Sequence, residues 1–266
     1  MIKYKLINNN RKELVIVFQS AGRITLELFD KIINNDVELS EVKKAHEKYS
    51  WYKLKENTYV DYLYLEDFYS KSYGWYMFDE GNSIIDKLNL HLERFIIDNK
   101  YKKVTAFGSS KGGTGALLYG IKNPYINRVF SVVPQIHSVQ YIDTYFEKYK
   151  KLFFPKDDID NEEYFNNIFY NEDLYCEENY RNTSVYIYTG VGDEQFQAAL
   201  DFNNFLGKKN IDNNIIINSS QKKHTPIVMD NVPFVRSALK IIHNGDVMRG
   251  PRLFNVDRRS YILKDK

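Results

Sequence analysis

Apolar residues along this chain gather in short continuous runs separated by longer amphipathic stretches. Residues 14–18 (Leu14, Val15, Ile16, Val17 and Phe18), 59–65, 104–107, 127–133, 185–188 and 215–217 are such runs. A continuous apolar run, rather than an alternating one, is what a strand covered on both faces requires. A weaker alternation over 2–7, stopped by Asn8, Asn9 and Asn10, predicts an edge strand. Helical spacing marks 40–49, 83–99, 195–206 and 233–243, together with the Ala/Leu-rich segment after the 104–107 run. Asn82 or Ser83 is placed to cap the second of these, and Pro233 suits the first turn of the last. Strand and helix in alternation predict a doubly wound α/β sheet.

Two stretches depart from that rhythm. Residues 67–82 form an aromatic-rich connection containing Tyr73, Gly74, Trp75 and Tyr76. Residues 138–182 are acidic and aromatic, broken at Phe153, Phe154 and Pro155, with no clean strand. A long structureless loop is uncommon in a compact domain, so 138–182 is expected to be a small cap or lid. The whole chain, 1–266, is expected to fold as one α/β domain with 138–182 inserted in it, and with a basic tail from Gly245 onward packed on the surface.

Composition narrows the function classes. Lys and Arg total 37 against 35 Asp and Glu, a net charge of +2, and the two signs are interspersed. No nucleic-acid partner follows from such a balance. Cys176 is the single cysteine, which excludes an intrachain disulfide and a cysteine-rich metal site. No apolar segment approaches the roughly 18 residues of a membrane span. The first ten residues lack the apolar core of a secretory signal, so a cytoplasmic location is expected.

The run at 104–107 stops at Gly108, Ser109, Ser110, Lys111 and Gly112, which fits G-x-S-x-G, and a helical segment follows at once. Strand, sharp glycine-flanked turn and helix is the context that makes a serine in this pattern a nucleophile. Ser110 is the candidate. A serine hydroxyl needs a base within hydrogen-bond reach, oriented in turn by an acid. Of the five histidines, His46, His91 and His243 fall in predicted helices. His224 lies in a loop directly after the last short strand, where an open α/β sheet meets its ligands, and is the candidate base. His137 follows the 127–133 strand and is expected to line a substrate pocket at the same edge. Asp193, presented after Gly190 and Gly192 at the end of the 185–188 strand, is the candidate acid, with Glu194 as its rival; the same Asp193 suits an N-cap.

The oxyanion of an acyl-transfer intermediate needs two N–H donors. One is expected from the backbone of Lys111, the other from Ser20 or Ala21, in the loop of Gln19, Ser20, Ala21 and Gly22 after the 14–18 strand. The Lys111 side chain is expected in solvent or facing an anionic substrate. Trp75, Tyr76, Tyr141 and Tyr145 are expected to offer stacking faces to sugars. Lys111, Gly112, Gly113, Thr114 and Gly115 imitate the start of a phosphate-binding loop. Ala116 and Leu117 then stand where its lysine and magnesium-binding hydroxyl are required, so a nucleotide site is excluded.

On the serine turn, the Gly192–Asp193 turn and the His224 loop, residues 12–243 resemble the α/β-hydrolase superfamily. The resemblance implies a mostly parallel sheet of about eight strands, helices on both faces and a Ser-Asp-His triad in that chain order. The small cap and the Gly108-to-Gly113 turn are similar to bacterial serine enzymes of capsule and other surface polysaccharides, some esterases, some acetyl transferases onto sugar hydroxyls. The implied activity is an esterase acting on acyl esters, glycan or small-molecule, with no cofactor and no metal. A polysaccharide O-acetyltransferase using acetyl-CoA as donor is the alternative. A catalytically idle component of glycan export or secretion is the third.

Overall fold

The apolar runs become the strands of a nine-stranded sheet in the computed structural model, which describes residues 3–21, 24–245, 252–256 and 259–265. Strands β1 (Tyr4–Ile7), β2 (Glu13–Phe18) and β3 (Asp61–Leu65) come first. Two short strands, β4 (Phe78–Asp79) and β5 (Asn82–Ser83), make a separate ribbon. Strands β6 (Lys103–Ser109), β7 (Arg128–Val132), β8 (Ser184–Gly190), β9 (Asp212–Asn218), β10 (Arg252–Val256) and β11 (Arg259–Asp265) complete the set. The order across the sheet is β1-β3-β2-β6-β7-β8-β9-β11-β10. From β3 to β9 the pairing is parallel, and β1, β11 and β10 add to it antiparallel.

Helices α1 (Leu26–Ile33), α2 (Leu39–His46), α3 (Ile85–Asp98) and α4 (Lys111–Lys122) precede β7. Between β7 and β8 lie α5 (Ser138–Tyr145), α6 (Lys150–Phe153), α7 (Ile159–Asn166) and α8 (Glu177–Tyr180). Helices α9 (Phe196–Lys208), α10 (His224–Met229) and α11 (Val232–Asn244) follow. None of the described helices is long and apolar enough to cross a membrane.

Strand β2 shows why the runs are continuous. Leu14, Ile16 and Phe18 join one core with Leu88 and Leu92 of α3, Leu117 of α4 and Phe202 of α9. Val15 and Val17 join the other, with Leu239 and Ile242 of α11. Both faces of the strand are therefore sealed, and no position is left for a polar alternation. The 138–182 stretch is helical, as a compact insertion requires, and packs on the aromatic 67–82 connection. Trp75 meets Phe153 at 5.3 Å between ring centres, and Phe78 meets Phe165 at 5.1 Å.

Three local expectations change. Helix α1 stands where no helix was expected; Thr25 caps it, its side chain accepting from Leu28 N at 3.2 Å, and burial of Phe29 and Ile32 holds it. Asn82 and Ser83 form strand β5, and Ile84 takes the position before α3. The basic tail contributes β10 and β11 to the sheet edge, because Tyr261 and Leu263 are buried while Ile262 between them is exposed. Ile2 of the predicted edge strand, Gly22, and the tail residues 246–251, 257–258 and 266 lie outside the described residues.

Candidate active site

Five neighbouring parallel strands, β2, β6, β7, β8 and β9, each deliver one piece of the site at their C-terminal ends. After β6 the chain turns into α4 within one residue, and that residue is Ser110, at φ 55° and ψ −128°. A non-glycine residue at positive φ stores strain that only its surroundings can hold. Here Ser110 N donates to Val132 O at 2.9 Å, and Thr114 N donates to Ser110 O at 3.1 Å. A Cβ on Gly108 would lie 2.2 Å from Gly112 O, so the strand and the first helical turn close on each other only because Gly108 lacks a side chain.

His224 opens α10 after β9, and its Nε2 lies 2.8 Å from Ser110 Oγ. Its Nδ1 faces Asp193, at 3.1 Å from Oδ1 and 3.2 Å from Oδ2. The Asp193 side chain is fully buried and that of His224 is 16% exposed, so the pair is shielded while the ring edge stays reachable. Asp193 Oδ1 also accepts from Gln195 N at 2.9 Å in the loop ahead of α9, but Gln195, not Asp193, holds the N-cap position of that helix. Glu194 takes a different place: its Oε2 accepts from His224 N at 3.3 Å, and its Oε1 lies 3.6 Å from Lys223 Nζ. The two loops are locked to each other. Gly192 N donates to Ser220 O at 3.1 Å, and a Cβ on Gly192 would meet the Gln221 backbone at 2.1 Å.

Of the expected oxyanion donors, the Lys111 N–H stands at the first position of α4, where helical N–H groups lack intrahelical partners. Ser20 and Ala21 follow β2, whose Phe18 O would be 2.3 Å from a Cβ on Gly112, so their loop abuts the serine turn. Gln19 N is already engaged, donating to Tyr76 Oη at 2.5 Å. Ser20 Oγ is 2.6 Å from Ser109 Oγ, which also accepts from Trp51 Nε1 at 2.9 Å.

Several side chains lie elsewhere than the sequence suggested. Lys111 faces neither solvent nor substrate: its side chain is wholly buried in an ion pair with Asp67, Nζ to Oδ2 at 2.5 Å. The rings of Tyr73 and Tyr76 flank the ammonium at 4.7 and 4.8 Å. Burial pushes the Lys111 pKa down, against the pull of Asp67. Trp75 and Tyr76 are completely buried and present no face to a sugar. His137 Nδ1 is 3.2 Å from Asn166 O, and its ring stacks on Tyr170 at 5.7 Å, inside the helical insertion. Tyr141 lies against the site, its ring 6.2 Å from that of His224, with Tyr145, which is exposed, beside it. Burial drives the Tyr141 pKa up to about 12, so its hydroxyl stays protonated at neutral pH.

Gln135, just past β7 and Pro134, escaped notice in the sequence. Its Nε2 donates to Ser110 Oγ at 3.1 Å. The only signal was position: a polar residue directly after a buried strand of the same sheet. Asp193, Glu194 and His224 also bring one potential metal-ligand atom each within 4.8 Å of the others. Both ring nitrogens of His224 already have partners, so a metal would have to displace Ser110 or Asp193.

No protein-family model matches the chain, and no curated protein matches its sequence. Solved structures do. The chain is similar to a chain of the Glycosylation Associate Protein (Gap123) complex from Streptococcus agalactiae, with TM-score 0.66 and 13% identity over 92% of its length. It spans only 45% of that chain. It is similar to the capsule O-acetyltransferase of Neisseria meningitidis serogroup A, with TM-score 0.64 and 16% identity over 91% of both chains. The Pyrococcus furiosus esterase Pf2001 gives TM-score 0.53 and 13% identity over 92% of this chain and 87% of that one. The chain has the α/β-hydrolase fold.

Proposed function

We propose that this protein is a serine acyl-transfer enzyme, in first place an esterase acting on acyl (acetyl) esters, including those of bacterial glycans. The observation that carries the reading is the line from Ser110 Oγ to His224 Nε2 at 2.8 Å, and from His224 Nδ1 to the buried Asp193 at 3.1 Å. His224 takes the Ser110 proton as Oγ attacks the ester carbonyl, and Asp193 stabilises the resulting imidazolium. The carbonyl oxygen gains charge opposite the N–H of Lys111 and a second donor from Ser20 or Ala21. His224 then returns its proton to the leaving alcohol, and a water enters the acyl-enzyme by the same steps reversed. The helical insertion serves as the cap, with Tyr141 on its active-site side.

A second reading is supported by the likeness to the meningococcal capsule O-acetyltransferase, which has also been solved as a mutant in complex with CoA. In that case acetyl-CoA is the acyl donor and a sugar hydroxyl replaces water. The likeness to a Gap123 component keeps a non-catalytic role in glycan modification or export in view, but an idle member has no need of a strained serine aligned with a base. One experiment separates them. Fluorophosphonate labelling is expected on Ser110 and is expected to vanish in Ser110→Ala; labelling that persists elsewhere sinks the assignment. Fast p-nitrophenyl acetate hydrolysis without acceptor identifies the esterase, glycan-dependent acetyl-CoA turnover identifies the transferase, and neither activity with an unlabelled Ser110 leaves the binding role.

A further inference from the structure

The amide of Gln135 is held from every side. Its N donates to Thr114 Oγ1 at 3.0 Å, and its O accepts from Thr114 Oγ1 at 2.9 Å and from Ser138 Oγ at 3.2 Å. Its side-chain Oε1 accepts from Trp75 Nε1 at 2.6 Å, and its Nε2 donates to Ser110 Oγ at 3.1 Å. Trp75 and Gln135 are both fully buried.

The orientation of this amide follows from chemistry alone. An indole N–H can only donate, so the Gln135 atom facing Trp75 must be the oxygen, and the NH₂ must face Ser110. At the other end, a carboxylate can only accept, so His224 Nδ1 carries a proton toward Asp193, and in the neutral ring that a general base requires Nε2 is left as an acceptor. Ser110 sits between a donor and an acceptor. Its hydroxyl proton must go to His224, and a lone pair must take the Gln135 N–H. Trp75, Gln135, Ser110, His224 and Asp193 therefore form one chain of hydrogen bonds running in a single direction, fixed at both ends.

We propose that Gln135 is a further catalytic residue, whose amide donates to Oγ and so aims the Ser110 proton at His224, and that Trp75 is the positioning residue that fixes the amide. This deepens the acyl-transfer reading above and rests on it. Without the donor, the Ser110 hydroxyl loses the constraint that keeps its proton on the His224 side before attack.

The test is the second-order rate at which a fluorophosphonate probe labels Ser110. In that step the Oγ–P bond forms, the P–F bond breaks, fluoride leaves and the Ser110 proton passes to His224. Gln135→Glu is nearly isosteric and still accepts from Trp75, but it turns an acceptor oxygen toward Oγ and competes with His224 for the proton. Gln135→Met removes the donor without adding a competitor. The expected order is wild type, then Trp75→Phe slower by a few-fold, then Gln135→Met by about tenfold, then Gln135→Glu by about a hundredfold at neutral pH. Trp75→Phe added to Gln135→Met is expected to cost nothing further. A residue that merely fills space gives the reverse order, with the isosteric Glu the mildest change, and that result overturns the proposal. Should Gln135→Met fail to fold, Gln135→Glu set against Trp75→Phe carries the same ranking. Loss of labelling in the wild type refutes the acyl-transfer reading itself; wild-type rates in Gln135→Glu refute only this inference.

Discussion

Strand β6 carries two hydroxyl–imidazole–carboxylate clusters, one at its C-terminal end and one toward its N-terminal end. The first is Ser110, His224 and Asp193. The second is Thr105, His243 and Glu13: Thr105 Oγ1 lies 2.8 Å from His243 Nδ1, and His243 Nε2 lies 2.9 Å from Glu13 Oε2. The residue types and spacings are nearly the same, yet the surroundings differ at every point that matters for chemistry. Ser110 stands on a strained turn at a helix start, whereas Thr105 lies within a regular strand with its amide and carbonyl in the sheet. In the site the acid is buried and the base is reachable; at the other end Thr105 and His243 are sealed and Glu13 is 39% exposed, beside Lys103 at 3.0 Å. The ring nitrogens are also exchanged between hydroxyl and carboxylate. Composition does not make a triad catalytic. Access for a substrate, a buried acid and free N–H donors beside the hydroxyl do.

Removing the carboxylate charge in each cluster gives the sharpest contrast. Asp193→Asn is expected to lower kcat on p-nitrophenyl acetate on the order of 10³–10⁴-fold, because the amide no longer selects the Nδ1–H tautomer of His224. Glu13→Gln is expected to leave kcat within about twofold and to change stability by less than about 1 kcal/mol, because Glu13 is itself 39% exposed and the amide can still hydrogen-bond His243 Nε2. Comparable losses of turnover from the two changes would erase the distinction.

Titration reads the sealed cluster next. Burial, ahead of the raising effect of Glu13, lowers the His243 pKa to about 4. The native state therefore stays unprotonated at His243 where the unfolded chain takes up a proton, so this contribution to stability is complete above about pH 6.5 and is lost as pH falls toward 4. The loss amounts to roughly 3 kcal/mol. Urea unfolding of the wild type and of His243→Gln should show the gap between them narrowing over that window; parallel curves would remove His243 as the cause. His46, buried against Phe68 and Tyr73 and also lowered to about 4, adds a similar slope to both proteins.

The smallest effect tests the hydroxyl. Thr105→Val keeps the shape of the strand but leaves the buried Nδ1 of His243 without its partner. We expect a loss of about 1–3 kcal/mol in stability, with labelling of Ser110 unchanged. A fall in the labelling rate would mean that the two ends of β6 are coupled.

Much of the site was legible because each piece follows an apolar run directly. Ser110, Asp193 and His224 stand just past β6, β8 and β9, and a parallel sheet gathers strand ends on one edge whatever lies between them in sequence. Gln135 obeys the same rule past β7, but a lone glutamine has no motif to single it out. Lys111 misled because its neighbours are small and turn-like, whereas the fold lays its side chain over Asp67, which is 44 residues away. Trp75 and Tyr76 misled for a related reason: an aromatic cluster reads equally as a stacking surface or as core, and only packing against Phe153 and α4 chose the core.

The sequence by itself determined the strand–turn–helix around Ser110, the order of its partners and the parallel sheet, since these rest on local periodicity and on glycine at close approaches. The tertiary structure alone decided which polar groups meet: Lys111 with Asp67, Gln135 with Trp75 and Ser110, and His243 with Thr105 and Glu13. Such pairings depend on strand order and on helix packing across long separations. The chain records those only in the summed burial of its apolar faces, and nothing in the spacing of the polar residues themselves records them.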